Sequence, residues 1–222
     1  MKILALEFSS PQRSVAVVQD GPDGERLVLT ERVETGIRST HAFGMIEAAL
    51  DVAQLEREQI DCLAVGMGPG SYNGIRLAIA LAQGWQLGSR QNGVKLLGIS
   101  SAECLAAQAQ SEGIFGRVGV VIDAQRNEFY FARYEISDSA WGEVEPLRLT
   151  GLSEIQAWLQ DGAAVVGPEA PRWFPGSRVV VPRAATLGRL ALGRNDFITA
   201  EKLEPIYLRE TNFVKAAPSR TL

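Results

Sequence analysis

Residues 66 to 76, Gly-Met-Gly-Pro-Gly-Ser-Tyr-Asn-Gly-Ile-Arg, hold four glycines and a proline within nine positions. Such a run lets the backbone turn sharply and press close against another group. It follows one apolar run, Cys62 to Val65, and leads into a second, Ile75 to Leu87. A strand, a glycine turn and a helix start leave backbone amides that suit an anion or a partner's acidic side chain. The loop holds no lysine, so it is not a G-x-x-x-x-G-K-[ST] phosphate loop, and its glycines miss the G-x-G-x-x-G spacing. A glycine-rich strand-to-helix turn is often only a turn, so its meaning depends on what surrounds it.

Two carboxylates form the second candidate. Glu7 follows the apolar run Ile3 to Leu6, and Asp123 closes Val120 to Asp123. Each is followed by a turn carrying Gln-Arg (Gln12-Arg13 and Gln125-Arg126) and then a second strand, Ser14 to Val18 or Glu128 to Tyr134. Acids at strand ends can hold Mg²⁺ in phosphoryl transfer, with Ser9 and Ser10 meeting phosphate. The plainer alternative is that both acids cap turns. The echo suggests a duplicated α/β unit with a nucleotide-sized cleft between its halves.

Other chemistries are excluded or weakened. The chain has one histidine, His41, and two separate cysteines, Cys62 and Cys104. These cannot assemble the usual nitrogen and sulfur ligands of zinc or iron. A serine triad would need His41, which sits beside Thr40 at an expected helix start and reads as a surface or capping residue. A net charge of −4 argues against holding nucleic acid by phosphate neutralisation alone. Between Glu169 and Arg194, however, five arginines (172, 178, 183, 189, 194) face one acid. That segment reads first as a solvated surface, and otherwise as a patch for RNA or an acidic partner. With 46% apolar and 22% charged residues, no membrane-length span and an opening too short for a signal peptide, a cytoplasmic protein is expected.

The elements follow from pattern. Three strands open the chain: Ile3–Leu6, Ser14–Val18 and Leu27–Thr30. Phe43, Ile46, Leu50 and Ala53 then make one helical stripe, with Ser39 or Thr40 as cap. Helix Ile75–Leu87 is apolar nearly all round, so the fold or another subunit must cover it. After strand Lys95–Ile99 and the second hairpin, Leu152–Leu159 and Ala184–Leu192 read as helices and Ala163–Val166 as a strand. Pro168–Pro182 reads as irregular, Glu204–Arg209 as packing back on the body, and the last few residues as loose.

Four stretches in register resemble the TsaB (YeaZ) family: Ile-Leu-Ala-Leu-Glu with its Ser-Ser turn, the loop from Gly66 to Arg76, Ile122-Asp-Ala, and Glu204-Pro-Ile-Tyr-Leu-Arg209. The family usually carries Asp-Thr where this chain has Glu7-Phe8, and Asp-Ala-Arg with a glycine where it has Asp123-Ala-Gln-Arg-Asn127. The resemblance implies an α/β, actin-like and sugar-kinase-like fold. Its subdomains would be 1–101, binding a partner, and 102–222, with about 203–216 packing back. It implies a non-catalytic subunit that activates a TsaD-like threonylcarbamoyl transferase, joined by a TsaE-like ATPase, acting on tRNA through the complex. TsaD places two metal-binding histidines where this chain has Ser101 and Leu105, so no metal is expected. The interface is expected on helices about Thr40–Ala53 and Gly74–Leu87, through Phe43, Ile46, Ser71, Tyr72, Arg76, Ala78, Ile79, Ala82 and Trp85. The same surface could form a homodimer. No tightly bound cofactor is expected; ATP or ADP is the candidate for Glu7, Ser9, Ser10 and Asp123, or for the interface of the complex. Two competing readings are a free-standing actin-fold ATPase or phosphotransferase, and a metallopeptidase.

Overall fold

The computed structural model describes residues 1–36, 41–89 and 93–209. One plan is used twice. The first half runs β1 (Lys2–Glu7), β2 (Gln12–Asp20), β3 (Arg26–Thr35), α1 (Ala42–Ala53), β4 (Cys62–Gly66), α2 (Tyr72–Gly88), β5 (Lys95–Ile99) and α3 (Ser101–Ser111). The second runs β6 (Gly116–Asp123), β7 (Glu128–Ile136), β8 (Trp141–Gly151), α4 (Leu152–Gln160), β9 (Ala164–Gly167), α5 (Ala170–Trp173), β10 (Arg178–Val179) and α6 (Ala184–Leu192). The two five-stranded sheets have matching orders, β3-β2-β1-β4-β5 and β8-β7-β6-β9-β10. Each lead strand has an antiparallel meander on one side and parallel strands on the other. This duplicated mixed-sheet α/β topology is the actin-like, sugar-kinase-like fold.

β1 is apolar without alternation because both of its faces are covered. Leu4 and Leu6 point into a core shared with α1 and α2, where Ile46, Leu50, Ile75 and Ala78 lie. Ile3 and Ala5 point the other way, onto Ala184, Leu187 and Ala191 of α6. The third helix of each half thus packs on the other half's sheet. α3 sets Ala102, Leu105, Ala106 and Ala109 against Val118, Val120 and Ile122 of β6. Gly188 allows the close approach of α6, since a Cβ there would meet Val18 at 2.6 Å. This exchange of helices ties the halves together and leaves a cleft between them.

α2 is covered on one side only. Gly74, Ile75, Ala78, Ile79 and Ala82 are buried against the first sheet, while Tyr72, Arg76 and Leu87 remain exposed. α1 begins with His41 at its N-cap, without a side-chain cap bond. Ser39 and Thr40, expected as caps, lie outside the described residues, as does the end of the chain from 210. Pro168–Pro182, expected to be irregular, contains α5 and the two-residue β10. No described helix is long and apolar enough to cross a membrane.

Candidate functional site

The turn between β1 and β2 and the turn between β6 and β7 line one cleft of about 230 Å³ between the halves. Ser9, Ser10, Gly70, Asp123 and Glu169 are in its wall, and Leu105 of α3 also faces it. Each polar group is partly committed to its own turn. The Ser10 hydroxyl donates to the Gln12 carbonyl at 2.7 Å, and Asp123 Oδ1 accepts from the Gln125 amide at 2.7 Å. Gln125, Arg126 and Asn127 all take left-handed backbone conformations, φ 62°, 58° and 61°, which makes the second turn tight. Glu169 is held above the usual carboxylate range, first by burial and then by the charge of Asp123. Two acids in one small cleft repel a phosphate unless a cation lies between them.

The sequence expectation joined four residues in this cleft, and the structure brings together three. Glu7 is fully buried and does not line it. Glu7 Oε1 accepts from the Ser9 amide at 2.8 Å, and Oε2 accepts from the Ser101 hydroxyl at 3.1 Å. Gly66 makes room for the longer acid, because a Cβ there would stand 2.1 Å from Glu7 Oε2. Phe8, beside it, is buried in the first core. Glu7 therefore pins β1 to the start of α3 rather than facing a ligand, which corrects its assignment as a cofactor-binding residue.

Burial pushes the Glu7 carboxyl above its ordinary value, against the bonds from Ser9 and Ser101 that lower it. A raised carboxyl binds its proton more tightly in the folded state than in the unfolded state. Its stabilisation is whole below the unfolded value near 4.5 and is lost as pH rises through the folded value. Glu7→Gln keeps an acceptor for the Ser9 amide and removes the charge. Thermal melts from pH 4 to 8 should show the variant and the parent level at low pH. The variant should gain several degrees over the parent as pH rises. A variant that instead falls further below the parent as pH rises would show that the ionised carboxylate is held well.

The glycine loop is used for close packing. Ser71 donates its amide to the Ser9 carbonyl at 2.6 Å, and Ser101 donates to the Gly68 carbonyl at 2.8 Å. A Cβ on Gly70 would meet the Ser9 carbonyl oxygen at 2.1 Å, and one on Gly74 the Phe8 carbonyl oxygen at 2.0 Å. The loop is thus pressed onto the β1–β2 turn, and the group that its backbone approaches is protein. The Ser71 hydroxyl accepts from the Gly74 amide at 3.4 Å and caps α2.

The expected interface residues divide. Phe43 (66% exposed), Tyr72 (52%) and Arg76 lie on the outer surface, with Val52 and Leu87 (87%), which were not among the expected interface residues. Arg76 covers the Tyr72 ring, its Cζ 5.1 Å from the centroid. Ile46, Ala78, Ile79 and Ala82 are buried in the chain's own core, so a second molecule cannot reach them. Their helical spacing marks the sheet-facing stripe, and the outer face is its complement. Ser71 and Trp85 are half-buried, and Arg57 stacks over Trp85 with its Cζ 5.7 Å from the ring centroid.

At the positions of the histidines in the resembled transferase, Ser101 is buried on Glu7 and Leu105 is buried beside the cleft. Among the described residues no group of three or more His, Cys, Asp or Glu is gathered. His41 is exposed, its Nδ1 2.9 Å from Glu34 Oε1. Burial pushes the Cys62 thiol up to about 12 and the Cys104 thiol well above its usual range. Two of the arginines of 172–194 are paired within the chain: Arg183 with Glu31, and Arg194 with Glu103 and Asp196.

The comparisons agree with this geometry. The family described as "TsaD: tRNA N6-adenosine threonylcarbamoyltransferase" matches residues 39–158, more than half of the chain. The Escherichia coli "tRNA threonylcarbamoyladenosine biosynthesis protein TsaB" is 27% identical, covering 99% of this chain and 100% of that protein. The structure called "YeaZ from Pseudomonas aeruginosa" superposes with a TM-score of 0.75 at 26% identity, covering 93% of this chain and 99% of that one. A second Pseudomonas aeruginosa structure, described as similar to peptidase YEAZ, gives a TM-score of 0.76 at 25% identity over 94% and 99%. With the duplicated fold, the chain belongs to the TsaD family of tRNA N6-adenosine threonylcarbamoyltransferases, and within it to its TsaB (YeaZ) line.

Proposed function

We propose that the chain is a non-catalytic subunit in the formation of N6-threonylcarbamoyl-adenosine beside the tRNA anticodon, where it binds and activates a TsaD-type transferase. The observation that carries this reading is Leu105, an apolar wall of the interlobe cleft at a position where the resemblance puts a metal-binding histidine. Its neighbour Ser101 is spent on Glu7. Leucine cannot ligate a metal, so the cleft offers no centre for the transfer.

Function then belongs to a surface. The outer faces of α1 and α2 carry Phe43, Val52, Tyr72 and Leu87, large side chains that the fold leaves exposed. Aromatic side chains such as Phe43 and Tyr72 anchor protein interfaces. The TsaD-like partner docks on this face, a TsaE-like ATPase joins the pair, and tRNA is reached through the complex. Without the partner, two copies meet by the same face about a twofold axis. The cleft, at about 230 Å³, is below the roughly 300–1,000 Å³ of ordinary ligand sites. ATP or ADP then belongs at the interface of the complex or in this cleft once it widens. With Glu7 sealed away, nothing favours a free-standing phosphotransferase.

The test is direct. The purified chain alone, given threonylcarbamoyl-adenylate and unmodified tRNA, should yield no modified nucleoside above a blank without protein. Turnover by the chain alone would make it a catalyst and overturn the reading.

A further inference from the structure

After α6 the chain leaves the second half's sequence repeat and runs back across the first half. Ile198 pairs with Leu96 of β5, and Gln83 of α2 donates to the Ala200 carbonyl at 2.8 Å. Leu203 is buried in the first core, and the Ile206 amide donates to the Met67 carbonyl at 2.9 Å. The Tyr207 ring then stacks on Tyr72, with centroids 5.7 Å apart at 27°. Two residues later the anchor changes sides. Arg209 Nη2 donates to the Ala124 carbonyl at 3.0 Å and pairs with the Glu128 carboxylate.

These anchor points flank the cleft. Pro69, Gly70 and Ser71 line it from the loop that follows Met67, and Asp123 and Gln125 line it from the turn that Arg209 grips. Residues 206–209 therefore span from one rim to the other. Elsewhere among the described residues the halves meet where α6 packs on the first sheet and α3 on β6, so a rotation of one half on the other turns about these helices. At the rim the same rotation must stretch the strap.

We infer that Leu203–Arg209 is a clasp that holds the two halves in the closed-cleft arrangement. Tyr207 is its fixed end and Arg209 its releasable end. A guanidinium on a backbone carbonyl and a carboxylate is a charge-assisted contact that breaks as a unit when the rims part. The fixed end lies on the outer face of α2, because Tyr207 stacks on Tyr72. A molecule that engages Tyr72 must therefore displace or reinforce the clasp, which links that face to the cleft in both directions. This last step rests on the docking reading above; the clasp itself does not.

The test measures the distance between halves in the full chain. Both native thiols are buried, so spin labels go on cysteines placed at the exposed Asp51 of α1 and Glu143 of β8. Without any partner, Arg209→Ala should raise the ratio of open to closed forms about tenfold or more, seen as a broader and displaced distance distribution. Tyr207→Ala should do the same, Glu128→Gln less, and Arg209→Lys least. Distributions for Arg209→Ala and Glu128→Gln that superpose on the parent would overturn the clasp. Adding the TsaD-like paralogue should displace the parent distribution. A variant effect with no response to the paralogue would leave the clasp standing and count against docking at Tyr72.

Discussion

Replacing Gly70 with alanine should cost about 3–5 kcal/mol of folding stability, a fall of roughly 6–20 °C in melting temperature for a chain of this size. Two independent causes act together. The φ of +148° is one that residues with a Cβ rarely adopt. The added carbon would also stand 2.1 Å from the Ser9 carbonyl oxygen, and a backbone atom cannot swing aside as a side-chain tip can. Moving Ser9 would disturb its amide bond to the buried Glu7. Gly84→Ala on the exposed side of α2 is the control, since nothing lies within 4 Å of its added carbon. That change should stabilise by about 0.5–1 kcal/mol through helix propensity. Equal behaviour of the two variants in thermal melts would contradict the close-packing role assigned to the loop.

The second large effect concerns affinity. Phe43→Asp combined with Leu87→Asp should weaken binding to the TsaD-like paralogue by about 30- to 1,000-fold, the range expected when central anchors of an interface are lost. Both side chains are mostly exposed, so the fold should survive the change. Ile46→Ala should behave in the opposite way. It empties a core position at a cost of about 2–5 kcal/mol, while the molecules that remain folded bind as before. Titration calorimetry beside circular dichroism separates the two. Unchanged affinity in the double aspartate variant would move the docking site elsewhere.

Much of this architecture was legible because it is written in local pattern. Strand Lys95–Ile99 and helix Ala184–Leu192 are continuous apolar or amphipathic runs, and both stand where pattern places them. The hairpin echo ending in Glu7 and Asp123 pointed to the duplication seen in the two sheets. α3 was missed because its buried face is mostly alanine with Ser101 and Gln108, which carry little hydrophobic signal. β8 was missed because it is an edge strand whose residues, Glu143, Glu145 and Arg148 among them, face water or each other, with Pro146 in its middle.

The candidate site was only partly legible, and for a different reason. Both turn acids sit at strand ends in the sequence, yet Asp123 lines the cleft and Glu7 is sealed beneath it. What separates them is the bond from Ser101 and the room left by Gly66, contacts made across 94 and 59 positions of chain. The expected interface residues divided for a similar reason. A stripe at spacings of three and four reports the face turned towards the core, so Ile46, Ile79 and their neighbours were found first. Phe43 shares the stripe yet points outward, and Val52 and Leu87 stand out only once the sheet beneath the helices is known.

Activation of a catalytic relative in tRNA modification is the role we propose for this chain. Reconstitution tests it most directly: the chain, its TsaD-like paralogue and the TsaE-like ATPase, supplied with threonylcarbamoyl-adenylate and unmodified tRNA. Modified nucleoside should form when all are present and fall to background when this chain is left out. Equal modification by the paralogue without it would contradict the account.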